Sequence, residues 1–548
     1  MNKTAFIPPV LVFLLYIALA IYILMTGHLH EDAYILFIFS ESLANGNGIA
    51  YFPGGPPAEG ATDFLWMILL SLGSYFGVDV ALSAAFLNGL GLSLIAALSV
   101  VLASKHISGS KLMLVSFSLS LIILLSQVSQ ASLAGFSAGF YCFFVALSFY
   151  LIYESKGKKL HLLPVVGITL GLLRPDGVII GIVASITGLY FAYRKAVIRK
   201  YLLVSAFCFT FGVGYFAWRY TYFGYLLPLP LYVKSTSAES FPGFWPHINW
   251  ALYNCFLLIF VIVALIFYKD RWRIIIASIP ISALFIALMF ATQSQNIAFR
   301  FQAPGTTLLI ICSTLFISYF LEKMKGDVNR VTVIILTIMS ATIFSSTAIY
   351  SAGFSFMIHN LKNDGYINYF PYHLSKNIDN ETKIALTEAG RFAYWVNGKK
   401  YDLVGLNTPE TAVNGSSPAY IEGLNPDLIF IHVVETADYS KVCNKNYCEL
   451  SYPEVLNGIK KDTDWRVVKY GVTKAPLTVY DYLKDKSDDY QAFSVSYDNS
   501  YPHLYFIKKD GNIDIDDFKE ALNLSFSEKG VLSYWDMKKK LGFSSIFE

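Results

Sequence analysis

Two adjacent carboxylates, Glu31 and Asp32, follow directly on the first apolar run, in His28-Leu29-His30-Glu31-Asp32-Ala33-Tyr34-Ile35. A carboxylate at the mouth of a membrane can take a proton from an alcohol where a lipid phosphate presents its headgroup, which is general-base chemistry. The same pair would favour a helix N-terminus, where the dipole stabilises negative charge. Both readings stand on these residues alone. A second charged group lies in Leu173-Arg174-Pro175-Asp176-Gly177, between two apolar segments. Charges at such depth face a cavity or pair with each other, so Arg174 and Asp176 are either functional or a salt bridge bracketing a proline break.

The elements that must position these groups are membrane spans. Of 548 residues, 55% are hydrophobic and 15% charged, too apolar for an ordinary soluble protein. The net charge of +3 sits in short Lys/Arg clusters between apolar runs, which gives no footing for nucleic acid and reports topology instead. Runs long enough to cross about 30 Å of hydrocarbon occur near 5–26, 80–104, 112–128, 133–153, 176–193, 200–220, 249–268, 274–292, 300–321 and 331–352, with a shorter one at 161–173. The first is read as an uncleaved span, since no small-residue cleavage site follows it.

The run 64–78 is short enough to lie in the interface or re-enter. If it does not cross, the basic loops near Lys105 and Lys111, 156–159, 194–200, 269–273 and 323–330 share one side, which the positive-inside bias makes cytoplasmic. The loop 27–63, the 174–177 turn, the loop 221–248, the stretch 292–300 and the C-terminal region then share the other. The expected architecture is a polytopic α-helical membrane domain (residues 1–354) of about eleven spans, N-terminus inside, followed by an extracytoplasmic soluble α/β domain (355–548). Strand-like runs at 383–387, 427–434 and 465–470 support the latter. Cys443 and Cys448 could close a small disulfide loop in an oxidising compartment; a zinc half-site is the alternative.

The segment Asn45-Gly46-Asn47-Gly48 and then Glu59-Gly60-Ala61-Thr62-Asp63-Phe64-Leu65-Trp66 completes a pattern with Glu31 to Ile35. Together these resemble the first loop of bacterial GT-C superfamily glycosyltransferases related to the mycobacterial terminal arabinofuranosyltransferases. Ala61 stands where that family usually has Tyr. The resemblance extends to Arg174-Pro175-Asp176-Gly177, to Trp218–Pro228 with Tyr232-Val233-Lys234, to Arg300-Phe301, and to Thr387–Val396 and Tyr401–Asn407. The sequence departs from it at Gly135-Phe136-Ser137-Ala138, where the family often carries a carboxylate, at Gly224-Tyr225, and at Gln293-Ser294-Gln295-Asn296, which lacks an acidic residue.

The resemblance implies a GT-C-like fold and an inverting glycosyltransferase of the bacterial inner membrane. It would move a sugar from a polyprenyl-phosphate donor to a cell-envelope glycan or glycolipid acceptor on the outer face. Asp32, with Glu31, would be catalytic. Lys234, Arg300 and Arg219 would bind the donor phosphate, since cations placed where charge develops lower the barrier. Glu59, Asp63, Tyr34, Arg174, Asp176 and Tyr232 would contact substrate. Some GT-C enzymes use a divalent metal, and Glu31, Asp32, His28 and His30 could ligate Mg, Mn or Ca, although no spacing demands one. Tyr394, Trp395, Tyr420 and Trp465 are candidates to stack on sugar rings, or core residues. The alternative is a transporter or flippase of a lipid-linked saccharide, because many spans with intramembrane charge also describe transporters.

Overall fold

The computed structural model describes residues 3–154, 159–234, 241–293, 296–323, 365–432, 447–449, 475–497, 500–528 and 532–542. Each apolar run expected to cross coincides with a helix, except 331–352, which lies outside the described residues. Helices α1 (Ile7–Thr26), α4 (Val80–Ala103), α9 (Gly177–Arg194), α10 (Ile198–Phe223), α14 (Arg271–Leu288) and α15 (Ala303–Lys323) are long and apolar enough to span on their own. α7 (Ala138–Glu154) and α8 (Leu163–Leu173) are shorter apolar helices packed among them. The chain is therefore a multi-pass membrane protein.

Two runs expected to be single straight spans are broken. α5 (Gly109–Leu125) meets α6 (Gln127–Leu133) at 47°, and α12 (Phe244–Tyr253) meets α13 (Cys255–Phe267) at 80°. Polar side chains take over backbone groups at both bends, a usual cause of a sharp kink. Ser126 accepts from the Ser129 N–H, and the Asn254 amide donates to Trp250 O (2.8 Å) and Gln127 Oε1 (3.2 Å).

The ambiguous run 64–78 forms α3 (Phe64–Tyr75). Its 12 residues cover about 18 Å at 1.5 Å per residue, too little to cross. Asp63, before α3, and Asp79, after it, both bond residues of the face that carries the first loop: Ser137 and Tyr534. At the opposite end the edges of three of the basic loops meet. There Lys105 pairs with Glu154, His106 with Glu322 (2.6 Å), and Lys111 Nζ with Leu321 O (3.2 Å).

The C-terminal region builds one six-stranded mixed sheet in the order β2-β1-β3-β6-β5-β4. β1 (Lys383–Leu386) lies parallel to β2 (Lys399–Asp402) and β3 (Leu428–His432), which is the α/β half. β3 runs antiparallel to β6 (Ser500–Lys508), which pairs with β5 (Tyr490–Tyr497), and β5 with β4 (Tyr447–Glu449). The strand expected at 465–470 and the Cys443–Cys448 pairing fall outside the described residues.

This domain docks on the first loop at several points. A Cβ at Gly390 would strike the Glu31 carbonyl and carboxylate, and one at Gly60 would strike Asn407 and Leu406. Only glycine permits those approaches. Tyr51 Oη donates to Ala389 O (2.5 Å), and the Tyr534 N–H donates to Gly27 O (2.9 Å). Lys538 reaches Glu41 (2.7 Å) and Asp79 (3.6 Å), a charge held by two carboxylates in a buried seam.

Candidate active site

Asp32, Asp63 and Asp176 each occupy the residue before a helix: α2 (Ala33–Ala44), α3 and α9. An aspartate there ordinarily accepts from the free N–H groups of the first turn, worth about 1 kcal/mol. None of the three does so, whereas Asp79, before α4, accepts from Ala81 and Leu82. The helix-start reading of Asp32 therefore does not account for its side chain.

All three carboxylates turn instead to one cluster. Asp32 Oδ2 accepts from Arg300 Nη2 at 3.1 Å. Asp176 takes a two-point bond from Arg174, 2.9 Å from Nε and 3.1 Å from Nη2. Asp63 Oδ2 accepts from Ser137 Oγ at 2.8 Å and feels the charges of Arg174, Asp176 and Arg300. Aromatic faces line the cations. Arg300 lies 4.0 Å above the Phe136 ring, and Phe301 stands between the two guanidiniums, 5.4 Å from Arg174 and 5.3 Å from Arg300. Such stacking stabilises a desolvated cation while leaving its edge donors for an anion. Arg300 Nε and the Tyr141 hydroxyl are buried there without a hydrogen-bond partner among the described residues.

Local sequence explains the presentation of Arg300. Gln293, Asn296 and Gln302 knit the turn before α15 through side-chain amides: Asn296 Nδ2 to Gln302 Oε1 at 2.8 Å and Gln302 Nε2 to Gln293 Oε1 at 2.6 Å. Neutral amides thus do the positioning where the sequence lacks an acidic residue. Likewise the segment 135–138, which carries no carboxylate, supplies the Ser137 hydroxyl and the Phe136 ring.

Glu31 bonds the C-terminal domain. Its Oε1 accepts from the Gly390 N–H at 2.5 Å, and burial, with Asp32 and Glu388 close by, pushes its carboxyl well above the usual range. Burial also raises Asp63. Asp32 and Asp176 are the carboxylates that pair directly with Arg300 and Arg174.

The other expected site residues lie apart from this cluster. Arg219 and Glu59 form their own buried pair, Nε to Oε1 at 2.7 Å, and Arg219 Nη1 also donates to Leu226 O at 2.8 Å. Tyr34 is fully buried among Tyr394, Trp395 and Tyr534, its hydroxyl 3.3 Å from His28 Nδ1. Tyr394 and Trp395 are thus core residues of the domain contact rather than a sugar platform; Trp465 lies outside the described residues. Tyr232 Oη sits 3.4 Å from the Leu227 N–H. Lys234 closes the short helix α11 (Leu229–Lys234), and its side chain is outside what the structure describes.

The four residues expected to be able to ligate a metal do not form a ligand set. His28 Nε2 lies 2.6 Å from Leu532 O, His30 Nδ1 accepts from the Asp32 N–H at 3.3 Å, and Glu31 and Asp32 are engaged as above. Among the described residues no group of three His, Cys, Asp or Glu side chains is placed to hold an ion.

The fold and the cluster define a multi-pass membrane protein with paired carboxylates and arginines where its first loop, its 174–177 turn and its 296–302 turn meet. Residues 368–491 match a family model described as a domain of unknown function, DUF8728. A comparison with curated protein sequences gives no match. Among solved structures the chain is similar to the oligosaccharyltransferase of Archaeoglobus fulgidus, at 12% identity and a TM-score of 0.49, over 91% of this chain and 88% of that one. It is similar to ArnT of Cupriavidus metallidurans bound to undecaprenyl phosphate at 11% and 0.49, over 90% and 97%. For the arabinofuranosyltransferase AftD from Mycobacteria the values are 11% and 0.47, over 81% and 39%.

Proposed function

We propose that the protein is an inverting glycosyltransferase that uses a polyprenyl-phosphate sugar and works on the face of the membrane that carries the first loop and the C-terminal domain. The observation that carries this reading is the convergence of three uncapping helix-start aspartates on two aromatic-backed arginines, one of which keeps an unused buried donor. The sequence pattern from Glu31 to Trp66 supports the same class.

In the reaction, the donor phosphate engages Arg300, and with it Arg174, displacing Asp32 from its ion pair. The freed Asp32 carboxylate accepts the proton of the acceptor hydroxyl. The acceptor oxygen bonds the anomeric carbon from the face opposite the phosphate while the carbon–oxygen bond to phosphate breaks. Polyprenyl phosphate departs with the bonding pair, its charge held by the guanidiniums. The buried Glu59–Arg219 pair fixes the first loop against α10, since Leu229 N–H also donates to Glu59 O (3.3 Å).

A flippase of a lipid-linked saccharide is the second reading, favoured by the breaks at Ser126 and Asn254, because broken helices line many transport paths. Purified protein in lipid nanodiscs, offered a panel of polyprenyl-phosphate sugars and an envelope glycan extract, separates the two. Glycosidic product with inverted configuration supports the transferase. Absence of product, with donor translocation in proteoliposomes, sinks it.

A further inference from the structure

A hollow of about 350 Å³ lies where residues 51–57 of the first loop, the end of α10 and strand β2 meet, away from the Asp32 cluster. This volume suits one or two sugar rings. Seven aromatic residues line it: Tyr51, Phe52, Tyr222, Phe223, Tyr225, Tyr401 and Tyr420. Aromatic faces cover the C–H faces of a sugar, while tyrosine hydroxyls meet its rim. The walls are fixed from both sides. Tyr222 Oη accepts from the Ile49 N–H (3.1 Å), and Phe52 and Tyr401 pack edge to face with centroids 5.4 Å apart.

Lys400 belongs to the same wall. It is 8% exposed, and among the described residues no hydrogen bond or ion pair engages it. A buried ammonium is unfavourable unless an anion pairs it. Glu410, the acidic residue of the wall, is not within ion-pair distance and takes the Asn414 amide at 2.8 Å. Burial holds Lys400 down to about 8, which leaves it largely protonated at neutral pH. An aromatic hollow with one uncompensated cation calls for a ligand with an apolar ring face and one negative charge.

We propose that this hollow binds an acidic sugar residue, Lys400 pairing its carboxylate and the tyrosines covering its ring. Assigning that sugar to the acceptor glycan rests on the transferase reading; the binding itself does not. The hollow also touches the candidate chemistry. Tyr51 is bonded to Ala389, whose neighbour Gly390 holds Glu31, so an occupied hollow sits two residue contacts from the carboxylate pair.

The test is equilibrium binding to the full-length protein in nanodiscs, which is independent of any transfer assay. Three probes are titrated: a glucuronate-terminated disaccharide, its glucose-terminated counterpart, and inorganic phosphate. The acidic disaccharide should bind at least about tenfold more tightly than the neutral one, the worth of one charge-assisted hydrogen bond. Lys400→Met should erase that preference and leave neutral binding unchanged, and Lys400→Arg should keep it. Tyr420→Ala should weaken both disaccharides alike. Equal binding of acidic and neutral sugars by the wild type, a preference surviving in folded Lys400→Met, or phosphate binding as tightly as the acidic disaccharide would each overturn the proposal.

Discussion

Replacing Asp32 by Asn removes one negative charge and keeps the shape of the side chain. The consequence is worked from the pair it makes. Arg300 Nη2 lies 3.1 Å from Asp32 Oδ2, with the two side chains 10% and 20% exposed. A charge-assisted hydrogen bond in that setting contributes about 1.5–3 kcal/mol, and in the resting protein the donor phosphate must compete with it. Asp32→Asn lifts the competition, so a polyprenyl phosphate should bind about tenfold or more tightly. Turnover should fall by about 10²–10⁴, the usual contribution of a positioned base. The two readouts moving in opposite directions is the diagnostic. Binding is measured by titrating a polyprenyl phosphate into nanodisc-embedded protein, and turnover by mass-spectrometric detection of the glycosylated acceptor. If Asp32 merely positioned Arg300, affinity and turnover would fall together. That result, or near-normal turnover in a folded variant, would refute the reasoning.

Three further outcomes follow from the same contacts. Gly390→Ala drives a Cβ into Glu31 and should cost about 1–3 kcal/mol of domain docking, seen as faster limited proteolysis of the C-terminal domain together with reduced turnover. Lys400 is held down to about 8 from its ordinary 10.5, so the unfolded state binds more protons between those values and stability should rise as pH climbs through that window. The full effect is about 3 kcal/mol, and Lys400→Met should flatten the rise in a thermal-melt series. Chelation with EDTA should leave transfer unchanged within about twofold, because His28 and Glu31 stay bonded to Leu532 and Gly390 even when Asp32 is released from Arg300; a loss restored by Mg or Mn would contradict it.

Much of the membrane domain was legible because the bilayer imposes a length rule on apolar runs, and the shortness of 64–78 is a matter of counting residues. Glu31, Asp32, Arg174 and Asp176 were legible as intramembrane or mouth charges, which are costly and so call for an explanation, and Arg300 through the resemblance of Arg300-Phe301. Their grouping was not. Asp32 and Arg300 are 268 positions apart, and nothing local says which charge meets which. Ser137 and Phe136 were visible only as a missing carboxylate, since a hydroxyl or a ring carries no signal of its own. The kinks were equally hidden, because Ser126 and Asn254 act through a few side-chain hydrogen bonds inside runs whose mean hydropathy stays high. Tyr394 and Trp395 could be read either as sugar-stacking or as core residues because aromatics serve both; only burial separates the two.

The contacts of residues 532–538 bear on the order in which the protein matures. His28 meets Leu532 O across 504 positions of chain, the Tyr534 N–H reaches Gly27, and Lys538 ties Glu41 to Asp79. The braces that fix the loop bearing Glu31 and Asp32 follow it at about that separation in sequence, so they leave the ribosome long after it. A nascent chain is therefore inserted long before it is competent, and a protein shortened ahead of residue 532 should still reach the membrane while its first loop stays unset.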